Sequence, residues 1–162
     1  MLKQVSKALL GTGLVIAVGV AAAAEQQLEC KLYIAESLDH ANSYSVDSTE
    51  STILGLRRGG VCVFTDGSVA DKQFVMGINS REDGAAGDAV GISVYTFESG
   101  DSLTLNFIGG WDKGPFSGDY TVLRGTGVYE KATGTGTISG ADSPWGSTAI
   151  VDIKLNLTVA DG

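Results

Sequence analysis

A chain of 162 residues with 19 acidic against 11 basic side chains carries a net negative charge, which repels phosphate backbones and anionic headgroups and so excludes nucleic acid and membrane surfaces as partners. One histidine, His40, and two cysteines, Cys30 and Cys62, cannot assemble a structural zinc site. Nor does any G-x-S-x-G elbow stand ready for a Ser-His-Asp triad, so no metal and no other cofactor is expected.

At the N-terminus, Lys3 and Lys7 precede an apolar run from Ala8 to Val20 and then four alanines, Ala21 to Ala24. This is the layout of a secretory signal peptide with an A-x-A cleavage site before Glu25, and its apolar part is shorter than the roughly 20 residues a spanning helix requires. An uncleaved N-terminal anchor is the alternative. Residues 1–24 therefore read as a leader and residues 25–162 as one domain, periplasmic or secreted, with no membrane insertion once the leader is gone. Export permits oxidation of Cys30 and Cys62, and both a disulfide and two half-buried thiols stay open at this level.

The chain holds 23 glycines and only two prolines, Pro115 and Pro144, and no stretch after the leader sustains an i, i+3, i+4, i+7 apolar pattern. Period-two alternation is the dominant signal. Leu28, Cys30, Leu32 and Ile34 share a face opposite Glu29 and Lys31, and the polar stretch Glu36–Thr52 then reads as a loop. Strands follow at Gly60–Thr65, Lys72–Ile78 and Val90–Phe97, with a turn at Asp66-Gly67 and a loop over Asn79–Asp88. Leu103, Leu105 and Phe107 oppose Thr104 and Asn106 in the next strand, bounded by turns at Ser99-Gly100-Asp101 and Gly109-Gly110. Gly118–Gly127 and Ala132–Ser139 come next, separated by a glycine-rich corner and followed by a turn at Gly140-Ala141-Asp142. Val151, Ile153, Leu155, Leu157 and Val159 then face away from Asp152, Lys154, Asn156 and Thr158 in a final half-buried strand.

Close strands joined by tight turns exclude parallel βαβ units. The expected class is all-β, an antiparallel eight-stranded β-barrel that closes to remove its edges, with a two-sheet β-sandwich as the alternative. An interior of that size holds one small ligand or fills with side chains.

The run Arg124-Gly125-Thr126-Gly127-Val128-Tyr129-Glu130-Lys131-Ala132-Thr133-Gly134 has no phosphate-loop spacing and no helix after it. It resembles the G-G-T-G-x-[FY]-x-x-A-x-G run of the allene oxide cyclase-like and dirigent-like β-barrel superfamily. The resemblance covers residues 101–159 well and the first half loosely. Upstream, Leu32-Tyr33-Ile34-Ala35-Glu36 is similar to the family strand that ends in a cavity glutamate, and Val61-Cys62-Val63 to its cavity-adjacent cysteine strand. The resemblance implies a barrel domain over residues 25–162, a homotrimer, and a catalytic pair of Glu36, favouring positive charge that develops in a substrate, and Cys62. Leu38 stands where the cyclases place an asparagine, which removes one of the polar groups that orient a bound epoxide and its water.

Tyr33, Tyr95, Asn106, Tyr120 and Trp111 are the candidate ligand-binding residues, with ordinary packing as the competing reading for the aromatic ones. Arg57 and Arg58, beside Gly59-Gly60, read as solvated loop charges, an anion clamp being the alternative. The functional expectation is an exported barrel that holds a small hydrophobic molecule and, as an enzyme, cyclises or isomerises it. A non-catalytic carrier and a structural envelope protein of the same shape are the alternatives.

Overall fold

The computed structural model describes residues 23–37, 42–46, 51–140 and 149–160. Their alternation is realised as β1 (Ala23–Ser37), β2 (Asn42–Val46), β3 (Ser51–Phe64), β4 (Val69–Arg81), β5 (Ala86–Phe97), β6 (Ser102–Asp112), β7 (Ser117–Gly125), β8 (Thr133–Gly140) and β9 (Ala149–Ala160). Single 3-10 turns at Glu82–Gly84 and Gly127–Tyr129 interrupt them.

Every pairing is antiparallel, in the order β1-β9-β8-β7-β6-β5-β4-β3-β2, and β1 also pairs with β3. That last pairing closes eight strands into a barrel and leaves β2 outside the cylinder. The β3 strand is long enough to do two jobs: Ser51–Gly55 pairs with β2, and residues from Arg58 to Phe64 pair with β1. Two local expectations are corrected here. Asn42–Val46 is a strand rather than part of a polar loop, because the neighbouring segment of β3 offers it a free edge. Gly109 and Gly110 lie inside β6 rather than in a turn, since a Cβ at Gly109 would collide with the Ser117 carbonyl and one at Gly110 with the Gly87 carbonyl. Missing side chains there let adjacent strands approach.

The inward faces supply the core. Leu32, Cys62, Leu103, Leu105, Leu155 and Leu157 are completely or almost completely buried. Each fully buried large side chain of this kind contributes roughly 1.5–3 kcal/mol. Cys30 and Cys62 form a disulfide across the β1–β3 seam, with Cα atoms 5.6 Å apart.

The glycine-rich corner has a structural purpose. After β7 ends at Gly125, Gly127 takes φ +58° and a single 3-10 turn delivers Tyr129 beneath the barrel. Phe64, Phe97 and Tyr129 then pack ring against ring in series, with centroids 5.7 and 4.8 Å apart.

Candidate functional site

Alternation in β4 points Ala70, Lys72, Phe74, Met76 and Ile78 inward, so a lysine occupies a core position. Lys72 is only 2 % exposed. Its Nζ donates to Tyr120 Oη at 2.6 Å and lies 5.1 Å from the ring centroids of Phe74, Tyr95 and Tyr120. Each ring face attracts the cation by about 0.5–2 kcal/mol, which offsets part of the lost hydration. Among the described residues no carboxylate pairs with Lys72.

Register explains the assembly. Tyr95 sits directly opposite Lys72 on β5, Ser93 opposite Phe74, and Tyr120 opposite Phe107 on β6. Phe107 and Tyr120 meet edge to face at 6.0 Å. The hydroxyls of Tyr95 and Ser93 are buried without a hydrogen-bond partner among the described residues. Burial, and then the neighbouring Tyr120 phenol, pushes the Tyr95 pKa well above its ordinary value.

A small, partly open cavity of about 30 Å³ lies above Lys72, toward the end where β8 finishes and β9 begins. Lys72 and Tyr120 are the polar side chains in a wall otherwise built by Ile34, Phe74, Met76, Phe107, Phe116, Ile138 and other apolar groups. At roughly 10–15 Å³ per water, this space admits two or three water-sized groups. A larger groove of about 560 Å³ runs over the outside of the β9-β1-β3 seam. Exposed ion pairs, Lys31–Asp152 at 2.7 Å and Lys154–Glu29 at 3.1 Å, span that groove, so it lacks the desolvated surface a tight apolar site needs.

The expected site residues separate. Tyr95 and Tyr120 come together at Lys72. Trp111 also points inward, but its indole packs on Gly87 and its Nε1–H donates to the Gly84 carbonyl at 2.8 Å, beside the cavity rather than in its wall. Tyr33 is corrected to the outer face, 47 % exposed, because it alternates with the buried Leu32 and Ile34. Asn106 is corrected likewise: it alternates with the buried Leu105 and Phe107. Cys62 is fully buried with its sulfur bonded to Cys30, so it offers a ligand no thiol. Glu36 lies in β1 where the register with β3 shifts between Ile34 and Ser37, and its side chain is outside the described residues, as are Leu38, His40 and Trp145.

Arg58 is a further correction, being a buried residue of β3 whose Nη2 donates to the Ala35 carbonyl at 3.2 Å. Arg57 points outward, with Nη2 donating to Gln73 Oε1 at 3.2 Å. Lys72 and Ser93 were missed by sequence reasoning. A signal for Lys72 existed, since it shares parity with Phe74, Met76 and Ile78.

No family model and no curated protein matches the chain. Among solved structures it is similar to the pterocarpan synthase dirigent protein, with a TM-score of 0.55 and 12 % identity over 96 % of this chain and 100 % of that one. The protein thus has the dirigent-like barrel fold that the run Arg124–Gly134 suggested. Identity at this level speaks to the fold and leaves the chemistry to the residues. No helix among the described residues is long and apolar enough to cross a membrane.

Proposed function

We propose that the protein is exported and that its barrel binds a small hydrophobic molecule in the interior, at the Lys72 end. One observation carries the reading: a small, largely apolar cavity lies against a buried lysine and a phenol, while Phe64, Phe97 and Tyr129 pack ring against ring away from it. Such a wall with few convergent polar groups is the usual make-up of a small-molecule site. The leader-like N-terminus and the Cys30–Cys62 disulfide support export.

Native mass spectrometry of protein recovered from the exported fraction tests both parts. The expected species begins at Glu25, has the mass deficit of one disulfide, and retains a lipophilic adduct or takes up an added apolar probe. Absence of the protein from the exported fraction refutes export, a retained leader there refutes only cleavage before Glu25, and failure to bind any apolar probe refutes the interior site. In an enzymatic form the bound molecule is cyclised or isomerised with Glu36 as the carboxylate, and Glu36→Gln then abolishes turnover without unfolding the barrel. A second reading, a filled structural barrel, draws on the small volume of the cavity, and a clean ligand-free mass in a single oligomeric form favours it.

A further inference from the structure

We infer that the bound molecule is a small aromatic monocarboxylate whose carboxylate seats on Lys72. This rests on the interior site proposed above and deepens it.

The Lys72 ammonium has three donor hydrogens. One is taken by Tyr120 Oη at 2.6 Å, and the surroundings of the rest are the faces of Phe74, Tyr95 and Tyr120. Rings attract a cation without neutralising it. A buried charge with no counter-ion is a costly element of a core, and its removal in favour of an apolar side chain is commonly tolerated or stabilising. Within this barrel Lys72 is 2 % exposed, has no carboxylate partner among the described residues, and borders a small, largely apolar cavity. An entering anion supplies the missing charge where surrounding water is scarce and the attraction is strongest.

The head group follows from the donors. Tyr120 accepts from Lys72 and so keeps its own proton to donate. One oxygen of a carboxylate meets the ammonium and the other the Tyr120 hydroxyl, and the Tyr95 ring flanks the same ammonium. A single negative charge balances the single cation that borders the cavity, whereas a phosphate dianion would bring a second charge that the cavity wall does not meet. The cavity as it stands, about 30 Å³, matches the head group.

The body of the ligand follows from the wall. Phe74, Phe107, Phe116 and Tyr120 all border the cavity, a set suited to edge-to-face contacts with a flat ring. Met76, an unbranched side chain only partly buried in the same wall, gives way as the ring follows the carboxylate in.

Isothermal titration of the full, oxidised protein with benzoate, benzyl alcohol and benzylamine tests this. Benzoate is expected to bind about tenfold to a hundredfold more tightly than benzyl alcohol, the range of a hydrogen bond to a charged group, and benzylamine not at all. Lys72→Met, shown to be folded by circular dichroism, should keep the alcohol's affinity and bind benzoate no more tightly than the alcohol. Equal affinities for acid and alcohol in the wild-type protein overturn the inference while leaving hydrophobic binding in place, and this comparison holds even where the variant does not fold. An acid preference retained in Lys72→Met overturns the assignment to Lys72. Failure of all three compounds, together with failure of apolar probes, refutes the proposed interior site itself.

Discussion

Reduction of the Cys30–Cys62 disulfide isolates what the closing seam contributes to stability. The two sulfurs join β1 to β3, the pairing that turns an open sheet into a cylinder, and both residues are at most 5 % exposed. Reduction leaves both thiols in the core with their packing nearly unchanged, so the main effect falls on the unfolded chain, which regains the freedom of a loop closed over a sequence separation of 32. In the loop-closure model a loop of that length corresponds to an entropy of about 12 cal/mol/K, or about 3–4 kcal/mol at 25 °C. Spread over an unfolding entropy of roughly 2.1 cal/mol/K per residue, this lowers Tm by about 10–15 °C. The assay is urea unfolding of oxidised and reduced protein followed by circular dichroism, with thiol capping to verify each redox state. A difference below about 1 kcal/mol would refute the reasoning, because the unfolded chain would then gain little freedom on reduction.

Two further outcomes follow from local geometry. Gly134→Ala should destabilise by about 2 kcal/mol or more in the same urea assay, since Gly134 has φ +149° and an added Cβ would strike the Asn156 carbonyl, whereas Gly55→Ala, with nothing near, should lie within about 0.5 kcal/mol of wild type. An equal effect at both positions would count against the register of β8 on β9. Tyr95→Phe removes a buried hydroxyl that lacks a partner and should leave stability unchanged or raise it by about 1 kcal/mol at neutral pH. Because the folded-state pKa of Tyr95 is raised, its contribution is fully present below the unfolded value near 10 and is lost as pH rises through the folded value. The wild-type urea midpoint should therefore fall above about pH 10 more steeply than that of Tyr95→Phe, and identical slopes would contradict the burial of the phenol.

The site was less legible in the sequence than the strands around it. Tyr95 and Tyr120 are legible as tyrosines within expected strands, but which face they take and that they meet at Lys72 is not. Tyr33 and Asn106 were misplaced even though the alternation of Leu32 with Ile34, and of Leu105 with Phe107, already turned both outward. Lys72 was passed over because charged residues are rarely buried, and what makes its burial tolerable is three rings from β4, β5 and β7 that no local window contains.

What the amino-acid sequence determined by itself is the alternation: the all-β class and, within most strands, which side chains share a face. That information is local, since successive Cβ atoms point to opposite sides wherever the chain is extended. Only the tertiary structure decided that β1 pairs with β3 as well as β9, that Cys30 and Cys62 meet across that seam, and that Lys72, Tyr95 and Tyr120 converge beneath one cavity. Those are contacts between residues far apart in the chain, 48 positions for Lys72 and Tyr120 and 137 for Ala23 and Ala160, set by the register of one strand on the next around a closed sheet, and period-two patterning holds no record of them.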